Sequence, residues 1–374
     1  MCYNIGSAEA IRSGKGKRQM TRAQRLMEYK ELKAGEAVIV SKRSNIFYLS
    51  GYTGEGLALV SPGVNAIITD FRYVEQAGQE APAFDTLALE GSQSHLDKAC
   101  EACQKEGVKT VYFEDDEFTV RTWNKAKEVF GGTELKPLGG AIEHLRRIKD
   151  AEELRRIEYA CKISGETFER ILPQIKEGMT ERELARLLEF DMYAHGADKM
   201  GFDVIAAAGV NGSKPHAVPS DYRIQKGDMI TMDFGAKAQG YTADMTRTVA
   251  LGEPGDEMRK VYAIVLKAQQ MAQDAVKADA VCVEVDAIAR DYIYAQGYEG
   301  RFGHGLGHSL GIDVHEEPRL SPLSKDTLEE KQLVTVEPGI YLPGIGGVRI
   351  ENTVVVEKNG CRSLVTPTRE LIIL

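Results

Sequence analysis

The sequence predicts an α/β domain followed by a larger α+β domain, with roughly 130 and roughly 230 residues as natural sizes for a chain of this length. Three observations carry that expectation. Residues 20–143 alternate short strand-like and helix-like pieces. Gly139-Gly140 and the charge-rich Leu145-Arg146-Arg147-Ile148-Lys149-Asp150 then interrupt the pattern, which places a boundary between residues 143 and 144. Beyond it, helical stretches give way to apolar strands that each carry a single acid.

Residues 1–19 hold Gly, Ser and Lys and lack the apolar run of a secretory signal, so a disordered extension is expected there. Thr21 to Lys33 reads as a helix. Ala37-Val38-Ile39-Val40, Leu57-Ala58-Leu59-Val60 and Ala66-Ile67-Ile68-Thr69 are apolar runs of strand length. Asp85 to Leu89 and Thr110 to Phe113 are weaker strands, while His95 to Lys105 and Glu117 to Phe130 are helical. Such alternation builds a mixed or parallel sheet flanked by helices. Arg43 to Tyr52 reads as a strand-to-loop connection.

In the second domain a long helix is expected from Ala151 to Lys176. Leu154, Ile157, Cys161, Phe168, Ile171 and Ile175 form its buried stripe. Thr180-Glu181-Arg182-Glu183 is a capping box that opens the next helix, which ends near His195-Gly196. His195 there suits a helix C-terminus electrostatically, and His95 and His144 read as structural or exposed.

Composition narrows the function. The net charge of -9 argues against nucleic acid as the main partner. A membrane span needs about 20 apolar residues in a row, and no such run occurs. Cys2, Cys100, Cys103, Cys161, Cys282 and Cys361 are scattered, which fits free thiols in a reducing, cytoplasmic compartment. Cys100-Glu101-Ala102-Cys103 is a lone CxxC in a helical run, and packing accounts for it.

The chemistry lies in the acids and in one loop. Gly303 to Glu316 contains His304, His308 and His315, three of the chain's seven histidines, among glycines. Imidazole is the commonest protein metal ligand. Asp233 sits in the apolar strand Met229 to Gly235, Asp244 in a second strand from Gly240 to Ala250, and Glu337 at the end of Leu333 to Glu337. Glu351 lies in a fourth strand, Gly347 to Val356, where alternation puts Arg349, Glu351 and Thr353 on one face. A buried lone carboxylate is costly, and several brought together raise one another's pKa. Two divalent cations about 3.5–4 Å apart remove that conflict. Ligation by four carboxylates and one imidazole favours Mn²⁺, with Co²⁺, Fe²⁺ or Zn²⁺ as alternatives.

These strings resemble a known family. Met-Asp-Phe-Gly at Asp233, Ala-Asp-Met-Thr-Arg-Thr at Asp244, Gly-His-Gly-Leu-Gly-His through His308, Val-Glu-Pro-Gly-Ile-Tyr at Glu337 and Gly-Val-Arg-Ile-Glu-Asn at Glu351 follow the order of the pita-bread metallopeptidases. The likeness spans about residues 20–374. Asp70-Phe71-Arg72-Tyr73 and the Leu145 to Lys149 segment are similar to its aminopeptidase P and prolidase branch, which adds a creatinase-like N-terminal domain.

The resemblance implies a dinuclear site with Asp233, Asp244, His308, Glu337 and Glu351 as ligands. It implies Glu337 as general base, and His216, His304 and His315 as groups that bind substrate or stabilise the tetrahedral intermediate. Arg349 and Tyr341 stand where relatives place supporting groups. The expected reaction is hydrolysis of the N-terminal Xaa-Pro bond of a peptide by an aminopeptidase P-like enzyme, with Xaa-Pro dipeptidase as the alternative. A homodimer is implied as well. A creatinase-like hydrolase without metals, or a non-catalytic binding module on the same fold, would need the ligand set broken, and here it is intact.

Overall fold

The computed structural model describes residues 20–374. The extension expected over residues 1–19 lies outside them. The chain divides into two compact units between Ala141 and Ile142.

The first unit opens with α1 (Arg22–Tyr29). Thr21 and Gln24 there exchange side-chain and backbone hydrogen bonds as a capping box. There follow β1 (Glu36–Val40), α2 (Arg43–Ser50), β2 (Leu57–Val60), β3 (Asn65–Thr69), α3 (Val74–Glu80) and β4 (Asp85–Ala88). The unit ends with α4 (His95–Lys105), β5 (Thr110–Phe113), α5 (Val120–Val129) and β6 (Glu134–Pro137). The six strands form one mixed sheet in the order β4-β3-β2-β1-β5-β6. Its core joins Ile39, Leu59, Ile68 and Val111 to Leu96, Cys103 and Phe130. Cys100 and Cys103 are buried there, and burial pushes the Cys103 thiol up to about 12.

One local expectation is corrected. Arg43 to Ser50 is a helix, not a connection. Its start is organised by the buried Glu114, which accepts from the Ser41 N–H at 2.6 Å, the Lys42 N–H at 2.7 Å and Asn45 Nδ2 at 2.6 Å. A cap supplied from β5's far end, 69 positions along the chain, leaves no local sequence signal.

The second unit follows α6 (Ala141–Arg146) with α7 (Ala151–Ile171), α8 (Glu181–Ala194), β7 (Lys199–Met200) and β8 (Ile205–Ala208). The α7 helix stops short of Lys176 because Pro173 has no N–H to extend the ladder, and a 3₁₀ turn replaces it. Next come β9 (Met229–Phe234), β10 (Ala236–Ala238), β11 (Tyr241–Thr242) and β12 (Met245–Ala250). Two helices, α9 (Asp256–Ala275) and α10 (Cys282–Ala295), precede β13 (Gly307–Ser309) and β14 (Glu316–Leu320). The last strands are β15 (Leu333–Val336), β16 (Gly339–Leu342), β17 (Gly346–Arg349), β18 (Asn352–Glu357) and β19 (Gly360–Ser363). They form short antiparallel sheets, including β12-β9-β8 and β15-β18-β19. Val261, Val265 and Ala289 of the two helices share one core with Val334, Val336 and Val354.

Two expected strands are broken, each at an acid. Ala243-Asp244 separates β11 from β12, and Ile350-Glu351 separates β17 from β18. The breaks brace each other. The Glu351 N–H donates to Thr246 O at 3.1 Å, and Thr353 Oγ1 donates to Asp244 O at 2.8 Å. Leaving the ladder frees each acid to turn inward.

Candidate metal centre

Asp233 lies near the end of β9, directly opposite Thr246 of β12. Asp244 enters from the break before β12, and Glu351 from the break before β18. Carboxylate oxygens of Asp233, Asp244 and Glu351 all lie within 4.8 Å of one another. Thr246 Oγ1 holds Glu351 Oε2 at 2.7 Å and accepts from Arg349 Nε at 3.2 Å. Arg349 Nη2 donates to Asp233 Oδ2 at 2.5 Å. One oxygen of Asp233 (Oδ1) and one of Glu351 (Oε1) are buried with no hydrogen-bond partner.

His308 closes the other side. Gly307 makes its approach possible, because a Cβ there would stand 1.9 Å from Thr335 O. The His308 N–H donates to Thr335 Oγ1 at 3.0 Å, and that hydroxyl donates to Glu337 Oε1 at 3.1 Å. With Nδ1 3.1 Å from Ser309 O, Nε2 is directed inward, 3.6 Å from Asp244 Oδ2 and 3.3 Å from Glu337 Oε1. All five residues expected as ligands thus converge on one point.

The remaining site residues form its wall. His304 Nε2 lies 2.8 Å from Tyr341 Oη, which accepts from Arg349 Nη1 at 2.9 Å. His304, Tyr341, Arg349 and Asp233 are therefore one hydrogen-bonded chain. The His315 ring packs edge-on against His308 with centroids 4.4 Å apart. His315 and His216 are exposed, and both line a cleft of about 910 Å³ that opens onto the acids. The Pro215 carbonyl accepts from Arg349 Nη1 at 3.2 Å, which ties the His216 loop to the centre. Phe202, Val204, Ala217 and Val218 give the cleft an apolar side.

Sequence reasoning missed Thr246 and Thr335, which orient Glu351, Glu337 and His308. Thr246 stood inside a recognised string, but nothing local says that its hydroxyl faces an acid. It also missed Arg319, which lines the same cleft and pairs across the β13–β14 ladder with His308. Directly opposed residues on antiparallel strands share a face, so Arg319 points to the His308 side.

The description "Metallopeptidase family M24" fits residues 155–358, and "Creatinase/Prolidase N-terminal domain" fits residues 19–148. The chain belongs to metallopeptidase family M24. The Xaa-Pro dipeptidase of Pyrococcus horikoshii is 35% identical over 354 residues, 94% of this chain and 98% of that one. The solved Xaa-Pro dipeptidase of Bacillus anthracis superposes with a TM-score of 0.90 at 38% identity, covering 94% of this chain and 99% of that one. An X-Pro aminopeptidase from Thermotoga maritima superposes at 0.87 with 36% identity, over 93% and 100%. The architecture is accordingly a creatinase-type α/β domain followed by an M24 pita-bread domain, and the protein is a hydrolase.

Membership in M24 implies divalent metal ions, and the donor set fits them. Burial and then Glu351 and Asp233 raise the Asp244 carboxyl well above its ordinary range. Burial, Glu337 and Asp233 do the same to Glu351. Burial also raises Asp233, against the pull of Arg349. Burial would raise Glu337 too, but His308, together with His304 and Arg349, outweighs it and holds that carboxyl at about 2. Acids this crowded, with two orphaned oxygens among them, need either protons or added positive charge. All-oxygen donors with one imidazole suit hard or borderline divalent ions.

Proposed function

We propose that this protein is an Xaa-Pro dipeptidase that uses two divalent ions, Mn²⁺ first among them, held by Asp233, Asp244, His308, Glu337 and Glu351. The observation that carries the reading is the convergence of those five side chains, with Asp233 Oδ1 and Glu351 Oε1 left without partners. Bound there, such ions would lower the pKa of a water and polarise a carbonyl. Glu337 serves as general base and passes the proton to the leaving nitrogen of proline. His315, with His216 beside it on the cleft wall, donates to the developing oxyanion. Partial desolvation against the cleft wall, followed by His308 and Arg319, lowers the pKa of His315, so it acts as a neutral N–H donor near neutral pH. His304, through Tyr341, steadies Arg349 and so Asp233, beside which the substrate's α-amine sits.

Release of one residue follows from anchoring that amine, because only the first peptide bond then reaches the base. The names of the relatives from Pyrococcus horikoshii and Bacillus anthracis support a dipeptide. So does Arg319, whose exposed guanidinium can take a carboxylate on the residue next to the one that bears the amine. This reverses the order expected from the sequence, in which aminopeptidase P-like activity stood first. That second reading keeps the support of the Thermotoga maritima enzyme's name. The assay compares Xaa-Pro with Xaa-Pro-Xaa, Xaa-Ala-Xaa and N-acetyl-Xaa-Pro with added Mn²⁺. Turnover of the dipeptide above the longer peptide is expected. Preference for the longer peptide selects the aminopeptidase, equal turnover of the alanine peptide removes the proline requirement, and cleavage of the acetylated peptide removes the amine anchor.

Five free cysteines among the described residues support a reducing, cytoplasmic location. No described helix is long and apolar enough to cross a membrane. A homodimer rests on the family resemblance, and sedimentation at micromolar concentration tests it.

A further inference from the structure

The segment Leu145 to Asp150 looked like a charged link between domains, yet two of its cations are interior. The side chains of Arg146 and Lys149 are 3% and 1% exposed. Both reach Glu316. Arg146 Nη2 donates to Glu316 Oε1 at 2.5 Å and to Asp313 Oδ2 at 2.8 Å. Lys149 Nζ donates to Glu316 Oε2 at 3.0 Å and to Ser309 Oγ at 3.2 Å. The Asp313 N–H also donates to Glu316 Oε1, at 3.1 Å. Burial alone would raise the Glu316 carboxyl, but Lys149 and Arg146 hold it at about 2.

Ser309, Asp313 and Glu316 all belong to the stretch that begins after His308 and carries His315. The same stretch is held at two further points. Lys237 Nζ donates to Ile312 O at 2.5 Å, and the Thr242 N–H donates to Gly311 O at 2.7 Å. A Cβ at Gly311 would come 2.8 Å from Glu316 Oε1, so a side chain there would push against the fastened carboxylate. The loop is therefore fastened at residues 309, 311, 312, 313 and 316, while the His315 ring lies on the cleft, against His308. Stability alone explains this poorly, because buried ion pairs often contribute less than apolar packing of the same volume. Fixed geometry is what such a network supplies.

We propose that Arg146 and Lys149 are positioning residues that act through Glu316 to fix the Ser309–Glu316 loop and hold His315 at its place on the cleft. The inference rests on the reading that His315 faces the reacting carbonyl. It is tested in the full-length, Mn²⁺-loaded protein with Lys149→Met, Lys149→Arg, Glu316→Gln and His315→Ala. The readouts are kcat and KM for an Xaa-Pro dipeptide, bound metal, the thermal midpoint, and the His315 ring-proton NMR signal, taken on the diamagnetic Zn²⁺-loaded protein because Mn²⁺ broadens nearby protons beyond detection, and assigned by its loss in His315→Ala. Displacement of a catalytic group by about 1 Å costs up to about 100-fold, so Lys149→Met and Glu316→Gln are expected to lower kcat roughly 10- to 100-fold with KM and metal content nearly unchanged. The His315 signal should move, and Lys149→Arg should restore most of the rate. A lowered midpoint with unchanged kcat per metal-loaded molecule and an unmoved His315 signal would overturn the inference. Should Lys149→Met fail to fold, Glu316→Gln and Lys149→Arg still decide it. If His315→Ala leaves kcat unchanged, the catalytic reading of His315 falls, and the NMR signal in Glu316→Gln alone then upholds or overturns the positioning.

Discussion

Arg349 Nη2 lies 2.5 Å from Asp233 Oδ2, and both side chains are buried at the point where the acids meet. Arg349 also donates to Tyr341 Oη and Thr246 Oγ1, so one guanidinium links Asp233, the His304 side of the cleft and the Thr246–Glu351 pair. It is the one fixed cation that touches the carboxylate cluster among the described residues. Removing one partner of a buried pair typically costs about 3–5 kcal/mol. Arg349→Met is expected to lose an amount of that order in urea unfolding of the metal-free protein, and added Mn²⁺ should recover part of it. A loss below about 1 kcal/mol would mean that solvent reaches Asp233 and the pair is screened.

Metal should compete with protons here, with a defined sign. The folded-state values of Asp244 and Glu351 lie well above their ordinary 3.8 and 4.5. Groups raised in this way stabilise the metal-free fold fully below those ordinary values and lose the contribution as pH rises through the raised ones. Glu337 is lowered to about 2, so its contribution is constant above its ordinary 4.5. Ligands must be deprotonated to bind. The rise in thermal midpoint on adding Mn²⁺ should therefore be larger at about pH 8 than at about pH 5.5. Calorimetry should find protons released on binding. Equal midpoint shifts at both pH values, without proton release, would contradict the raised carboxyls.

Glu337→Ala and Asp244→Ala should abolish turnover, the first through loss of the proposed base and both through loss of a proposed ligand. His315→Ala should keep most of its metal and lower kcat by about 10²–10³, the usual cost of one oxyanion donor. Elemental analysis beside steady-state kinetics separates these cases. A His315→Ala protein without metal would show that this imidazole, rather than His308, completes the ligand set.

Much of this site was legible because its acids are anomalous in their strands. Asp233 among Met229 to Phe234 and Glu351 among Val348 to Val356 break apolar runs, and such breaks demand a counter-charge. The details that orient them were not legible. Thr246 and Arg349 act across strands roughly a hundred residues apart, and only the fold brings them together. The breaks at Asp244 and Glu351 also escaped a reading by periodicity, because the residues on both sides are strand-like. The α2 helix was hidden for a related reason, since its cap is the distant Glu114.

Arg319 gives the means to separate a dipeptidase from an aminopeptidase. It faces His308 across the β13–β14 ladder and lines the cleft, and its closest acid, Glu317 at 3.4 Å, is itself exposed. A dipeptide anchored by its amine beside Asp233, as proposed, would present its carboxylate only one residue further on, in the same cleft that Arg319 lines. A hydrogen bond to a charged group contributes about 1.5–3 kcal/mol, which is roughly 10- to 100-fold in binding. Arg319→Met should raise KM for Xaa-Pro by that factor and leave kcat near its original value. Xaa-Pro-amide, which has no carboxylate, should bind the variant and the unaltered protein alike. Substrate length is the decisive comparison. If Xaa-Pro, its amide and Xaa-Pro-Xaa all weaken equally, Arg319 supports the wall rather than reading the carboxylate, and the dipeptide preference loses its physical basis here.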